Sequence, residues 1–373
     1  MQANDRFRNF VFGVALALML GWILYIGQNI FIPVIASIIL AYIIIAVAQW
    51  LGQIPAIGER LPAVLRYTFS ILAIIGIVTA FVSLIISNIN QVIELAPVYQ
   101  ARLLAVIQNF AGMIGQVFEI DTEPTWETVR RDILGEISLQ SIVGSTVTSI
   151  SVLVGSVFVV MVYTGFAMAE RRLFERKMMQ LSDRPDDGRR IADIVRVINT
   201  RIGDYLAAKT LVNLVLGLIS YIVMAIVGLD FAAFWAVLIA LFNYVPYVGS
   251  FLGVLFPSTI AVIQFGDPTL YVGTFIGLVA AQVFMGSIVE PNFLGRSLNL
   301  SPFIILVSLT SWGSLWGIAG ALLSVPITAI MVIILSEFEG TRPIAVLLSR
   351  SGQIPPKRHQ DGTLTIDVSN DDL

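Results

Sequence analysis

The chain has 373 residues, of which 57% are hydrophobic and 13% are charged, with a mean hydropathy of +0.87. Soluble domains are only about half apolar, so this composition excludes an ordinary soluble protein. The chain has no cysteine, one histidine and a net charge of −3, so we expect no disulfide, no bound metal, no cofactor and no nucleic-acid partner.

Eight uncharged hydrophobic runs follow one another along the chain. They occupy residues 10–26, 30–50, 67–87, 142–169, 210–229, 231–265, 269–289 and 302–336. A helix needs about 20 apolar residues to cross a bilayer. The first run follows Arg6 and Arg8 as in a signal peptide, but a second run begins almost at once, which favours an anchored helical hairpin. We therefore predict an all-α, polytopic membrane protein with about eight hydrophobic segments.

The charges between the runs predict the orientation. Residues 170–209 contain ten of the 22 Lys and Arg, whereas residues 88–141 contain three, against seven Asp and Glu. By the positive-inside rule, the first segment is cytoplasmic, the second is extracytoplasmic, and both termini are cytoplasmic. The predicted organisation is three transmembrane helices in 1–87, the extracytoplasmic helical segment 88–141, a fourth transmembrane helix in 142–169, the basic cytoplasmic helical segment 170–209, a core in 210–336 and a cytoplasmic tail in 337–373.

Both hydrophilic segments contain amphipathic stretches. In 89–114 the apolar residues recur every three or four positions, which predicts a helix bent near Pro97, and a second short helix is predicted after Pro124. In 191–205 apolar residues again share one helical face. These faces need partners, which could be the membrane surface, the bundle or another subunit. We expect a symmetric homo-oligomer, with a pentameric ring as one possible arrangement.

The runs 231–265 and 302–336 are too long for a single straight span. Each has 35 residues, and a straight helix of that length extends roughly 52 Å, against a hydrocarbon core of about 30 Å. Each run is therefore either a kinked single span or a re-entrant hairpin of two half-helices. Hairpins would place Arg296 inside, so the charge pattern slightly favours them.

A break interrupts each long run. In "NYVPYVGSFLG", Pro246 removes a backbone donor, Gly249 permits positive φ, and Asn243 and Ser250 supply side-chain hydrogen bonds. The second break contains Gly317, Gly320 and Pro326. Freed backbone groups are costly in lipid unless protein buries them or they line a water-filled cavity, so the breaks are candidate parts of a substrate pathway. The alternative is that Gly and Pro only allow close helix packing.

Polar side chains inside the runs are further candidates. Asn213, Asn243 and Gln282 are costly to bury. Carboxylates lie only at the edges of the runs, and Glu290 and Asp204 are the candidates for binding a coupling ion. A structural pair between Glu290 and Arg296 is the alternative for Glu290.

The C-terminal half resembles the autoinducer-2 exporter family of bacterial inner-membrane permeases. The resemblance lies in "FNYVPYVGSFLG", "IVEPNFLGRSLNLSPFIILVSL" and "GIAGALLSVPITAI". It implies about eight membrane segments with an outward-facing domain after the third, and a multi-pass location in the inner membrane. The family motifs fall on Pro246 and Gly249, on Glu290, Pro291 and Gly295, and on Gly317, Gly320 and Pro326. Ser250 replaces a proline that relatives often have.

The resemblance implies that residues 210–336 form a transport core for a small solute. We expect a secondary transporter that moves a small polar solute such as autoinducer-2. Exchange of Na+ or Li+ for protons, implied for other family members, is the first alternative, and a non-transporting membrane scaffold is the second. We expect no enzyme, because the chain lacks the His-Glu-x-x-His, Gly-x-Ser-x-Gly and Walker motifs.

Overall fold

The helices account for nearly all of the structure that is described. The computed structural model describes residues 2–54, 61–118, 152, 154–170, 173, 177, 185–294, 298–338 and 340–352. Its helices are α1 (Gln2–Ile26), α2 (Gln28–Gln53), α3 (Ala63–Phe118), α4 (Val154–Glu170), α5 (Pro185–Val227), α6 (Ala232–Phe242), α7 (Val248–Phe265), α8 (Pro268–Phe284), α9 (Glu290–Leu294), α10 (Pro302–Glu337) and α11 (Arg342–Leu348). A π-helical turn, Met285–Val289, joins α8 to α9.

The prediction of a polytopic all-α membrane protein is confirmed. Six helices in the described ranges are long and apolar enough to cross a membrane, and shorter apolar helices lie at Val11–Ile26, Val154–Glu170 and Ala232–Phe242. Beyond the helices, the described residues contain one isolated β-bridge, between Leu300 and Ser349. The predicted helix after Pro124, together with Gly295 and Arg296, lies outside the described residues.

Two helices run across boundaries that the charge pattern suggested. Helix α3 continues from its apolar part through residue 88 and past Pro97 to Phe118. Helix α5 likewise runs from the basic cytoplasmic segment into the apolar run that begins at residue 210. The hydrophilic segments are thus rigid extensions of membrane helices over these residues, because their backbone hydrogen bonding is continuous with that of the spans.

The run 231–265 folds back on itself, and we call it hairpin 1. The backbone N–H of Asp230 donates to Gln264 Oε1 at 2.7 Å, and the Trp235 and Phe256 rings stack with centroids 6.2 Å apart. In one straight helix, residues 230 and 264 would be about 51 Å apart. Helices α6 and α7 are therefore antiparallel arms, joined at residues 243–247.

The run 302–336 also folds back, within α10, and we call it hairpin 2. The Ser308 hydroxyl donates to the Ser324 carbonyl at 3.0 Å, and Trp312 Nε1 donates to Thr328 Oγ1 at 3.3 Å. These partners are 16 residues apart, about 24 Å in a straight helix. The reversal occurs where Gly317 adopts φ 60° and ψ −140°, a conformation that only glycine adopts readily. In both long runs these contacts join residues on the two sides of the break.

One glycine in each hairpin allows its arms to meet. A Cβ at Gly249 would lie 1.7 Å from the Phe242 carbonyl oxygen, and a Cβ at Gly320 would lie 1.9 Å from the Trp312 carbonyl oxygen. The predicted role of Gly249 in providing positive φ is wrong: it lies in α7 without a positive φ, and Tyr247 carries the positive φ of 63°. Gly249 is needed for its lack of a side chain.

Helix α5 is the axis on which both hairpins pack. Its C-terminal part forms a core with hairpin 1 and α8, built from Val212, Leu216, Met224, Ala236, Ile239, Val254, Leu278 and Met285. Its N-terminal part forms a second core with hairpin 2 and α11, built from Ile202, Tyr205, Leu206, Leu300, Val325, Ala329, Val332 and Ala345. The apolar face predicted in 191–205 therefore has hairpin 2 as a partner within the chain.

The C-terminal part of α3 contacts the base of hairpin 1. The Tyr99 hydroxyl donates to Asp230 Oδ2 at 2.8 Å, and Arg102 donates to the Gln264 carbonyl oxygen at 2.8 Å. Burial and the hydrogen bond to Asp230 both raise the pKa of Tyr99, so the phenol remains protonated and keeps this bond at neutral pH. The predicted amphipathic segment thus has at least one partner in the bundle.

Candidate functional site

The tip of hairpin 1 contacts α5 through polar side chains. Asn243 Nδ2 donates to Asn213 Oδ1 at 2.8 Å, and both side chains are buried. The Ser250 hydroxyl lies 3.4 Å from Asn243 Oδ1. Three sequence-predicted site residues are thereby brought together by a turn that follows from the local sequence.

The sequence of the turn explains its geometry. Asn243 ends α6 with its backbone N–H bonded to the Ile239 carbonyl. Pro246 has no N–H to continue the helix, and its carbonyl accepts from Val248 at 2.7 Å. Tyr247 takes φ 63° and ψ −54°, a strained conformation that costs about 1–3 kcal/mol. Strain of this kind is tolerated where packing on both sides fixes the chain, and the two arms of hairpin 1 supply that packing.

A second hydroxyl pair lies one turn nearer the N-terminal end of α5. The Thr210 and Tyr244 hydroxyls are 2.7 Å apart, and Tyr244 is the residue after Asn243. Because residues three positions apart on a helix lie about 4.5 Å apart along its axis, Thr210 and Asn213 form adjacent layers of one contact. The tip of hairpin 1 is thus bonded to α5 at two levels.

Several buried polar atoms at hairpin 1 lack a hydrogen-bond partner. They are Asn213 Nδ2, Trp235 Nε1, Ser258 Oγ and Gln282 Nε2. Gln282 Nε2 faces Gly253, where an added Cβ would lie 3.4 Å from it. A buried donor without an acceptor costs about 1–3 kcal/mol. These groups could bind the oxygen atoms of a small ligand or of water.

Glu290 has a partner that the sequence did not predict. Lys209 Nζ donates to Glu290 Oε1 at 2.6 Å, which joins α5 to the start of α9, directly after the π-helical turn. The Lys209 side chain is 4% exposed and that of Glu290 is 31% exposed. Pro291 follows in the first turn of α9. The sequence had assigned Lys209 to the basic cytoplasmic segment, although its ammonium group is buried.

Asp204 lies in a different place from Glu290. It lines a cavity between α2 and the N-terminal part of α5, whereas Glu290 is bonded to Lys209. The two coupling-ion candidates therefore do not share a site. In the part of the chain that the structure describes, no group of three or more His, Asp or Glu side chains could hold a metal ion.

The two hairpin breaks do not meet. Hairpin 2, which contains Gly317, Gly320 and Pro326, contacts α1, α2, α5 and α11, and has no contact with hairpin 1 among the described helices. The Trp316 indole at its tip donates to the Leu24 carbonyl at 3.0 Å. A polar cluster with buried, unpaired amides is thus found at the tip of hairpin 1, and hairpin 2 packs elsewhere on the same axial helix.

Comparison with known proteins assigns the family. The family model described as AI-2E family transporter matches residues 12–340. The chain belongs to the AI-2E transporter family. It is 26% identical over 344 residues to the AI-2 transport protein TqsA of Escherichia coli. The matched region covers 90% of this chain and 96% of that protein.

Two further relatives carry only provisional names as transport proteins. The Haemophilus influenzae relative is 27% identical over 350 residues, covering 93% of this chain and 98% of that protein. The Borreliella burgdorferi relative is 37% identical over 199 residues, covering 52% of this chain and 54% of that protein. As a member of this family with apolar membrane helices throughout, the chain is a multi-pass secondary transporter for a small molecule.

The sequence of this AI-2E transporter predicted the buried amide side chains of the site, but it did not predict which polar side chains pair with each other. It identified Asn213, Asn243 and Gln282, whose amides are costly to bury. It missed the Thr210–Tyr244 and Lys209–Glu290 pairs, which join residues 34 and 81 positions apart. A charged residue within one position of an apolar run, such as Lys209, is the signal that could have indicated a buried ion pair.

Proposed function

We propose that this AI-2E transporter moves a small, neutral, polar solute across the bacterial inner membrane, and that the solute passes the tip of hairpin 1. Autoinducer-2 is the first solute to test, because the relative TqsA is named an AI-2 transport protein and matches nearly the whole chain. The residues assigned to the pathway are Asn213, Asn243, Ser250 and Gln282, which lie on α5, hairpin 1 and α8.

The unpaired amide groups are the observation that carries this proposal. Asn213 Nδ2 and Gln282 Nε2 are buried donors without an acceptor. A solute rich in hydroxyl and carbonyl oxygens would accept hydrogen bonds from them and offset their desolvation. Ionic cargo fits less well, because Lys209, which precedes Thr210 on α5, forms an ion pair with Glu290.

The charge pattern orients the two hairpins in opposite directions. With the basic segment 170–209 in the cytoplasm, α5 runs outward, and Gly228 lies on the outer side. Hairpin 1 would then enter the membrane from outside and hairpin 2 from the cytoplasm, with both termini cytoplasmic. Oppositely directed half-helices of this kind are typical of transporters whose two halves have inverted topology.

The Na+(Li+)/H+ antiporter alternative receives no support from the site. An exchangeable carboxylate in a pathway must lose and regain its proton, and Glu290 already accepts a hydrogen bond from Lys209 at 2.6 Å. Asp204 is exposed to the cytoplasmic side of the bundle and lies outside the amide cluster.

We also propose that the transporter assembles as a homo-oligomer, with a pentameric ring as the arrangement to test. The unusually long α3 extends 56 residues and reaches well beyond a bilayer core of about 30 Å. Copies of this helix could pack around a symmetry axis. Native mass spectrometry of the detergent-solubilised protein would report the subunit number directly.

The transport proposal is tested by solute flux in liposomes. Wild-type protein should release or accumulate autoinducer-2 faster than empty vesicles, and Asn243→Ala should reduce the flux at least about tenfold, equivalent to the loss of one buried hydrogen-bonding group. Thr259→Val is the matched control, because Thr259 is exposed on α7 and bonds only the Leu255 carbonyl of its own helix. Wild-type flux no greater than that of empty vesicles would refute the proposal.

A further inference from the structure

The structure contains a polar cavity that lies apart from the amide cluster of hairpin 1. It has a volume of about 490 Å³ and lies between the end of α2 and the cytoplasmic part of α5. This volume falls within the range of about 300–1,000 Å³ that is typical of small-molecule sites. Its polar and aromatic lining is Tyr42, Gln49, Trp50, Gln53, Arg196, Asn199, Thr200 and Asp204.

The charges of the lining predict the class of ligand. Among the described residues, the charged residues that line the cavity are Arg196 and Asp204, which have opposite signs. Asp204 has no hydrogen-bond or ion-pair partner among the described residues. Arg196 forms an ion pair with Asp193, one turn earlier on α5, with Nη1 and Oδ1 3.4 Å apart. A carboxylate accepts hydrogen bonds from hydroxyl groups and a guanidinium donates to oxygen, so a neutral, polyhydroxylated solute matches both.

An aromatic residue at the rim complements these polar groups. Trp50 is 60% exposed and lines the cavity at the cytoplasmic end of α2. An indole face can cover the apolar C–H surface of a polyol, while the amides of Gln49 and Gln53 contact its hydroxyls. This combination of one flat aromatic surface with carboxylate and amide groups suits adjacent hydroxyl groups better than it suits an ion or an acyl chain.

The position of the cavity connects it to the tip of hairpin 1. Its α5 residues recur every three or four positions and so form one face of the helix, ending at Ala207. The next residue on that face is Thr210, whose hydroxyl is bonded to Tyr244 of hairpin 1. The cavity therefore ends one helical turn below the hydroxyl pair, which separates it from Asn213 and Asn243.

We propose that the cavity between α2 and α5 is a cytoplasmic binding site for a neutral polyhydroxylated solute, and that the Thr210–Tyr244 contact separates this site from the amide cluster. The role as a loading site for the transported solute rests on the proposed function. Binding in the cavity does not rest on the proposed function, because it is inferred from the lining residues alone. Asp204 is thereby reassigned from coupling-ion candidate to a ligand for solute hydroxyls.

The natural absence of cysteine makes this site directly testable. Gly203 lines the cavity, and a side chain there would meet no atom within 4 Å, so Gly203→Cys introduces a thiol without a clash. A membrane-impermeant maleimide should label it in inside-out vesicles. Autoinducer-2, ribose and xylitol are the probes, and a probe at about twice its Kd should slow labelling about threefold.

Two variants serve as controls. Gly340→Cys lies at the cytoplasmic base of hairpin 2, also in open space, and its labelling should not respond to any probe. Adding Asp204→Asn to Gly203→Cys should raise the probe concentration needed for the same protection at least about threefold, because a carboxylate acceptor is lost. If Gly203→Cys does not fold, Ala207→Cys samples the same face of α5.

The outcomes separate this inference from the proposed function. Protection of Gly203→Cys by a polyol, weakened at least about threefold by Asp204→Asn, supports the site even if wild-type liposomes show no flux, in which case only the proposed function fails. Normal flux of autoinducer-2 with no protection by any of the three probes would overturn the site and leave the proposed function standing. Protection that persists unchanged in Asp204→Asn would overturn the assignment of Asp204.

Discussion

Lys209 and Glu290, which are 81 positions apart, form an ion pair at 2.6 Å between α5 and α9. The two ends of the pair differ in environment, because the Lys209 side chain is 4% exposed and the Glu290 side chain is 31% exposed. Removing one member leaves the other charge without a partner, and the cost depends on how deeply the remaining charge is buried. The pair therefore has an asymmetry that can be measured.

We predict that Glu290→Met destabilises the protein more than Lys209→Met. Glu290→Met leaves a buried ammonium without a partner, at a cost of about 3–5 kcal/mol, whereas Lys209→Met leaves a partly exposed carboxylate that water can solvate. The double variant should regain most of the loss, because it leaves no unpaired charge. Thermal unfolding of the purified protein in detergent measures all three, and equal losses for the two single variants would contradict this account.

A second prediction concerns the steric role of Gly249. Gly249→Ala places a methyl group 1.7 Å from the Phe242 carbonyl oxygen, so the arms of hairpin 1 must separate. We expect a loss of about 3 kcal/mol or more in the free energy of unfolding. Gly273→Ala in α8 is the matched control: its added methyl group meets nothing within 4 Å, and it should be neutral or stabilising by up to about 1 kcal/mol. Unchanged stability in Gly249→Ala would show that hairpin 1 is less closely packed than described.

A third prediction separates function from stability at Gln282. Its Nε2 is buried without an acceptor, so Gln282→Met removes an unpaired donor while keeping the side-chain length. We expect stability to rise by about 1 kcal/mol and solute flux to fall several-fold. A residue retained only for packing would show the two quantities changing in the same direction, so unfolding and liposome flux should be measured on the same preparation.

The contact between α3 and hairpin 1 should be sensitive to alkaline pH. The pKa of Tyr99 is raised above its ordinary value of 10.0 by burial and by its hydrogen bond to Asp230. Between the unfolded and folded pKa values of Tyr99, the folded state binds more protons than the unfolded state. The contribution of Tyr99 to the free energy of unfolding is therefore fully present below about pH 10 and is lost as the pH rises beyond it. The difference in unfolding temperature between wild type and Tyr99→Phe should therefore shrink between about pH 8 and about pH 10.5. A difference independent of pH would contradict the assignment of this hydrogen bond.

Much of the fold was predictable because membrane helices carry strong local signals. Long uncharged runs predicted the helices, the excess length of two of them excluded one straight span, and the charge at Arg296 slightly favoured hairpins over kinked spans. Pro246 marked the first turn and Gly317 the second. The close approach of the two arms at Gly249 and at Gly320 was not predicted, because it depends on how each hairpin folds back.

The contacts between segments were not predictable from one sequence. Nothing local to Lys209 indicates that its partner is Glu290, and nothing local to Tyr99 indicates Asp230. Periodicity showed that α5 has an apolar inner face but not that hairpin 2 packs against it. The cavity between α2 and α5 depends on two helices more than 130 positions apart in sequence, and only the three-dimensional arrangement reveals it.

The central claim is that the tip of hairpin 1 lies on an aqueous path that the solute uses. Ser250→Cys tests it most directly, because the thiol is nearly isosteric with the hydroxyl and is the only cysteine in the chain. A hydrophilic maleimide should label this residue in membrane vesicles, and autoinducer-2 should slow the labelling by about threefold at twice its Kd. A thiol that reacts from neither side of the membrane in folded protein would show that the tip is packed in a dry interior, and the proposed pathway would be wrong.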